Sequence, residues 1–62
     1  MDKRMETRAQ VVRLVERAIA EGDYAYIRQA MGLCSDETGV WMCENDDSVM
    51  IDDEVFYFNG AF

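Results

Sequence analysis

Hydrophobic residues in the first third of the chain recur at helical spacing. Met5, Val12 and Ile19 are seven residues apart, and neighbouring apolar residues widen this stripe to roughly half of a helix circumference. The pattern predicts an amphipathic helix over residues 3–21. Gly22 predicts the end of this helix, because glycine readily adopts the left-handed conformation that often follows a last helical turn.

A second, shorter helix is predicted over residues 23–31. Apolar residues again recur on one face, with Ile27 at the centre. Asp23 is a suitable N-cap and Gly32 a suitable stop. The two helices are therefore expected to run antiparallel, joined by a tight turn.

The pattern then changes to short runs rich in Val, Ile and aromatic residues, which are typical of strands. These runs cover residues 39–44, 48–51 and 55–58, and short acidic turns separate them. The sequence predicts an α+β fold in a single domain, residues 1–62. In this fold an N-terminal helical hairpin packs on a three-stranded antiparallel β-meander.

Alternation along the strands divides the residues between two sheet faces. Val40 and Met42 fall on one face and Trp41 on the other. Aromatic bulk favours the face of Trp41, Phe56 and Phe58 as the one that packs on the helices, although the pattern leaves both faces open.

Size and composition narrow the function classes. A chain of 62 residues makes a thin core, so dimerisation stays open, while a hydrophobic content of 50% favours a folded domain. No run approaches the roughly 18 apolar residues of a membrane span, and we expect a cytoplasmic protein without membrane contact. Reduced core thiols are favoured for Cys34 and Cys43, with a disulfide or an intermolecular bridge as the alternatives.

Charge is distributed unevenly along the chain. All six basic residues precede Met31, whereas the segment 32–62 contains eight acidic residues and no basic ones. Such asymmetry indicates either an interaction surface or a merely solvated face. The candidate partner-binding residues are acids in and beside the predicted turns, together with one outward-pointing tyrosine: Glu44, Asp46, Asp47, Asp52, Asp53, Glu54 and Tyr57.

Residues for catalysis are missing from the sequence. The chain has no His, so its serines and cysteines lack the usual general base, and turn carboxylates are expected to be exposed. There is no phosphate-binding glycine loop and no EF-hand spacing. We expect no enzyme activity, no cofactor and no metal site. An acidic chain also repels phosphate, which disfavours direct nucleic-acid binding.

The acidic and hydrophobic stretches at residues 44–51 and 55–58 resemble the small inhibitor proteins of phages and mobile elements, among them anti-CRISPR proteins and DNA mimics. The resemblance implies an inhibitor that occupies a basic nucleic-acid-binding surface of a partner protein. It also implies a location in the host cytosol if a phage encodes the chain.

Two other functions compete with this interpretation. One is a small dimeric structural or regulatory adaptor that pairs through the apolar stripe of the first helix: Val11, Val12, Val15 and Ile19. The other is a winged-helix-like DNA binder, which requires Arg8, Arg13 and Arg17 to contact phosphate.

Overall fold

A computed structural model describes residues 2–62 and contains two helices followed by one antiparallel sheet. The predicted α+β class, with a helical hairpin on a three-stranded meander, is confirmed. The elements are α1 (Lys3–Glu21), α2 (Ala25–Leu33), β1 (Met42–Glu44), β2 (Ser48–Ile51) and β3 (Glu54–Tyr57). None of the helices in this described part is long and apolar enough to cross a membrane.

Both ends of α1 are capped. The Asp2 carboxylate accepts a hydrogen bond of 3.0 Å from the backbone N–H of Arg4, which satisfies a donor that the first turn leaves unpaired. At the other end Gly22 adopts a φ of 66°, and its N–H donates to the Ala18 carbonyl. The chain therefore reverses within residues 22–24 and enters the second helix.

The second helix lies two residues later than the predicted range 23–31. Asp23 still provides a cap, because its carboxylate accepts a 3.0 Å hydrogen bond from the N–H of Ala25. Gly32 does not stop the helix, which was expected from sequence, and α2 continues to Leu33. The helix ends where Cys34 takes an extended conformation, with φ of −87° and ψ of 129°, and the Thr38 hydroxyl donates to the Leu33 carbonyl at 3.1 Å.

The sheet has the order β1-β2-β3 with β2 in the centre. Cys43 lies opposite Met50, which in turn lies opposite Val55. The first strand is shorter than the predicted range 39–44, since only an isolated bridge between Ser35 and Val40 precedes it. The third strand is shifted by one residue from the predicted range and ends before Phe58.

The core lies between the helices and one face of the sheet. Val40, Val49 and Ile51 are fully buried on this face, and Phe56 and Phe58 also pack there. The helices contribute Val11, Val15, Ala18, Ile27 and Ala30, all fully buried.

The expectation that Trp41 shares this packed face is wrong, because its side chain is 56% exposed. Strand alternation places the Trp41 side chain on the other side of the sheet from Val40 and Met42. Because Val40 is buried, the side with Val40 and Met42 is the one that packs on the helices.

Candidate functional site

The predicted site residues are divided between two ends of the sheet. Glu44, Asp46 and Asp47 lie at the β1–β2 turn. Asp52 and Asp53 form the β2–β3 turn, which lies at the opposite end because the strands are antiparallel. The seven candidates therefore do not form one continuous surface.

Asp52 is occupied by contacts within the chain. Its carboxylate lies 2.7 Å from Nη2 of Arg4 and 3.3 Å from Nε of Arg8, and it accepts a 3.2 Å hydrogen bond from the Trp41 N–H. Its side chain is only 17% exposed. Asp52 thus joins the β2–β3 turn to α1 and to the segment before β1.

Glu54 is neutralised in the same region. Its carboxylate accepts a 2.7 Å hydrogen bond from Nη2 of Arg8, and this bond is the main cause of the raised pKa of Arg8. Arg4 and Arg8 are one helical turn apart, so they reach the same end of the sheet from one face of α1. Asp53 has no ion-pair partner within residues 2–62.

The opposite end of the sheet contains a groove of about 440 Å³, which we call the acidic groove. Its lining residues are Tyr24, Glu44, Asp46, Asp47, Tyr57, Phe58, Asn59, Gly60 and Phe62. Its three carboxylates form no ion pair with any other residue in the described part of the chain. Four of the seven predicted residues therefore meet here, three acids and Tyr57.

Aromatic packing holds one wall of the acidic groove. The Phe62 ring packs edge-on against Tyr24 at 5.3 Å and against Phe58 at 5.0 Å. Asn59 and Gly60, with φ of 55° and 78°, turn the chain back so that this ring reaches Tyr24, just before α2. The Phe58 N–H donates to the Asp47 carbonyl at 2.9 Å, which fixes the wall to the β1–β2 turn.

Tyr24 and Phe62 were not among the predicted site residues. Both had sequence signals, since the Asn59-Gly60 pair is a strong turn former that directs Phe62 backwards. Tyr24 follows the predicted Gly22-Asp23 turn, and the position of this turn places Tyr24 at the end of the helical hairpin where the two helices are joined.

The electrostatics of the acidic groove keep Tyr24 protonated. The Glu44 carboxylate is placed to accept a hydrogen bond from the phenol, which raises the pKa of Tyr24, and burial adds to the effect. The guanidinium of Arg28 lies 5.5 Å from the centre of the same ring. The phenol thus contributes a neutral donor and an aromatic surface beside three anionic groups.

This combination suits a guanidinium or ammonium group. Carboxylates form strong charge-assisted hydrogen bonds with such cations, and aromatic faces attract them through cation–π contacts. Within residues 2–62 no group of three or more His, Cys, Asp and Glu side chains is arranged to hold a metal ion.

Both cysteines are free thiols, and they differ in environment. Cys34 packs against the core, and burial raises the pKa of its thiol. Cys43 is exposed on the sheet, so the expectation of a core position for it is wrong.

No protein-family model, curated protein sequence or solved structure matches this chain. The resemblance to small phage inhibitors therefore stays a prediction from sequence. The geometry of the acidic groove is the structural basis for the functional proposal.

Proposed function

We propose that the protein is an inhibitor that binds a basic nucleic-acid-binding protein and blocks its nucleic-acid site. The acidic groove is the contact surface. The observation that supports this is the set of three carboxylates, Glu44, Asp46 and Asp47, which form no ion pair within residues 2–62 and lie beside exposed aromatic rings. A net charge of −7 adds long-range attraction toward a basic surface.

Charge alone is too sparse for a full imitation of DNA. Across the 18 Å width of the molecule, duplex DNA carries about ten phosphates at one per ~1.7 Å of axis. The acidic groove offers three carboxylates. Charge therefore guides and orients the encounter, while aromatic contacts such as Tyr57, which is 59% exposed, prolong the complex.

Displacement of DNA from a captured partner tests this function. Proteins retained by the immobilised chain from a bacterial lysate are identified, purified and loaded with a fluorescent duplex. We expect the wild-type chain to release the duplex, and Asp46→Lys/Asp47→Lys to release it at least tenfold less effectively.

The matched control is Asp36→Lys/Glu37→Lys, which makes the same change in net charge at two exposed acids outside the acidic groove. It should release the duplex nearly as well as wild type. Affinity should also fall steeply between 0.05 and 0.3 M salt, as the Debye length drops below about 10 Å. Equal losses in both double variants, or a complex insensitive to salt, would contradict the proposal.

The contacts of the residues that the competing functions require give those functions less support. The adaptor requires the apolar stripe of α1, but Val11 and Val15 are fully buried inside the monomer. The DNA binder requires Arg8, Arg13 and Arg17 for phosphate. Arg8 is paired with Glu54 and Arg17 with Glu21, each at 2.7 Å, which leaves Arg13 as the one of the three without an ion pair in the described chain. We propose neither of them, and we propose no catalytic role.

A further inference from the structure

The face of the sheet turned away from the helices is largely apolar, and most of its side chains are exposed in the described part of the chain. Its apolar residues are Trp41, Cys43, Met50, Val55 and Tyr57, which we call the outer sheet face. Ser48 lies opposite Tyr57 on the same side of the sheet and is a buried polar residue. Trp41 is 56% exposed, Val55 42% and Tyr57 59%. The largest contiguous apolar patch on a protein surface is often an interaction site.

The outer sheet face is one continuous patch. Cys43, Met50 and Val55 form a row across the three strands. Trp41 borders a shallow depression of about 90 Å³ together with Cys43 and Met50. Tyr57 follows Val55 on the same face by strand alternation and also lines the acidic groove. The patch and the acidic groove are therefore contiguous.

The size of the patch limits what can cover it. The two rings of Trp41 and Tyr57 expose roughly 250 Å², estimated from the 150–250 Å² that an aromatic side chain presents in full. A stable interface covers about 800 Å² on each partner. An occupant must therefore extend beyond the apolar patch onto its charged border.

That border selects the chemistry of the occupant. Acids stand at both ends of the sheet, with Glu44, Asp46 and Asp47 at one end and Asp53 at the other. A second copy paired face to face about a two-fold axis along the strands would bring Glu44, Asp46 and Asp47 against the same three acids. With the axis across the strands, these acids would face an end where Arg4 and Arg8 are already paired with Asp52 and Glu54. A surface bordered by basic residues would gain attraction at the same places.

We infer that the outer sheet face and the acidic groove together dock on one partner surface that has an apolar centre bordered by arginines. This inference rests on the proposed function and adds the apolar half of the interface. Arginine suits the border better than lysine, since its planar group pairs with carboxylates and stacks on Trp41 and Tyr57.

Trp41 provides a direct test, because it is the single tryptophan of the chain and lies on the outer sheet face. The probe is a synthetic peptide without tryptophan, in which arginines flank a central run of leucine and isoleucine. The control peptide keeps the arginines and replaces the central run with serine. We expect the apolar peptide to bind at least tenfold more tightly and to shift Trp41 emission to shorter wavelength.

Matched variants locate the binding. Met50→Gln places a polar side chain of similar size in the centre of the outer sheet face, and it should remove most of the tenfold preference for the apolar peptide. Met5→Gln makes the same change at a 64% exposed position on α1 and should leave the preference intact. Urea unfolding of both variants checks that the fold is retained.

The outcomes separate this inference from the proposed function. Equal binding of both peptides without a shift in Trp41 emission would overturn the inference and leave the acidic groove as the binding site. Failure of both peptides to bind would count against both. A blue shift that depends on protein concentration without any peptide would identify a second copy as the occupant and overturn the inference.

Discussion

Asp52 connects three parts of the chain with one side chain. Its carboxylate contacts Arg4 and Arg8 on α1 and accepts the Trp41 N–H before β1. Its backbone φ is 54°, a left-handed conformation that Asp and Asn tolerate better than most residues. These contacts indicate that Asp52 stabilises the fold.

The exchange Asp52→Asn should lower the free energy of unfolding by about 1 kcal/mol. Asn keeps the left-handed conformation and an oxygen for the Trp41 N–H, but it loses the charge that pairs with Arg4 and Arg8. The matched exchange Asp53→Asn removes the same charge from a neighbour without an ion-pair partner in the described chain, so we expect a change within about 0.5 kcal/mol. Urea unfolding measures both, and equal effects would contradict the assignment.

The sequence alone did not separate these two neighbours. Asp52 and Asp53 are adjacent and chemically identical, and only the fold decides which carboxylate meets α1. The spacing of Arg4 and Arg8 was the available signal, since residues four apart share a helix face. That signal identifies a basic site on α1 but not the acid that occupies it, because the acid lies 48 residues away from Arg4 in the chain.

At the scale of the elements, Gly22 and Gly32 differ in backbone conformation and in the space around them. Gly22 has a φ of 66°, and a Cβ atom there would lie 3.3 Å from the Ala61 carbonyl oxygen. Gly32 lies inside α2, where an added Cβ would meet nothing within 4 Å. Both were predicted as helix stops, but only the first has the conformation that requires glycine.

Substitution by alanine should therefore shift stability in opposite directions. Gly22→Ala places a Cβ in the left-handed region and should cost about 1–2 kcal/mol. Gly32→Ala reduces the entropy of the unfolded chain and favours the helix, for a gain of about 0.5–1 kcal/mol. Thermal unfolding followed by circular dichroism should show a lower midpoint for the first variant and a higher one for the second. A lower midpoint for Gly32→Ala would mean that Gly32 serves a contact absent from this structure.

The order of the elements followed from periodicity, but the orientation of the sheet did not. A spacing of seven among Met5, Val12 and Ile19 predicts one helix face without reference to the rest of the chain. The fully buried residues of α1 lie beside that line, at Val11, Val15 and Ala18, and Met5 is exposed. In the strands, alternation gives two faces of similar hydrophobicity, so Val40 and Trp41 compete for the core. In the folded chain Val40 is buried in the core and Trp41 is exposed.

At the scale of the whole molecule, the fold separates neutralised acids from acids without partners. Arg4 and Arg8 pair with Asp52 and Glu54 at one end of a molecule 34 Å long. In the described residues the carboxylates of the acidic groove, at the other end of the sheet, form no ion pair, and the guanidinium of Arg28 lies against the Tyr24 ring instead. Sequence placed the excess charge in residues 32–62 but did not reveal that α1 neutralises only part of it.

This separation predicts that the acidic groove lowers the stability of the isolated chain. Asp46→Asn/Asp47→Asn removes two like charges beside Glu44, and it should raise the free energy of unfolding by about 0.5 kcal/mol at 0.01 M salt. The gain should disappear at 1 M salt, where the Debye length is about 3 Å. Urea unfolding at the two salt concentrations measures it.

The same double variant should bind the proposed partner at least tenfold more weakly, because it removes two of the three carboxylates of the acidic groove. Higher stability combined with weaker binding is the behaviour of charges that serve recognition at a cost to the fold. If the free energy of unfolding instead fell by about 1 kcal/mol at both salt concentrations, Asp46 and Asp47 would be residues that stabilise the β1–β2 turn. The acidic groove would then be a structural feature, and the inhibitor proposal would lose its principal support.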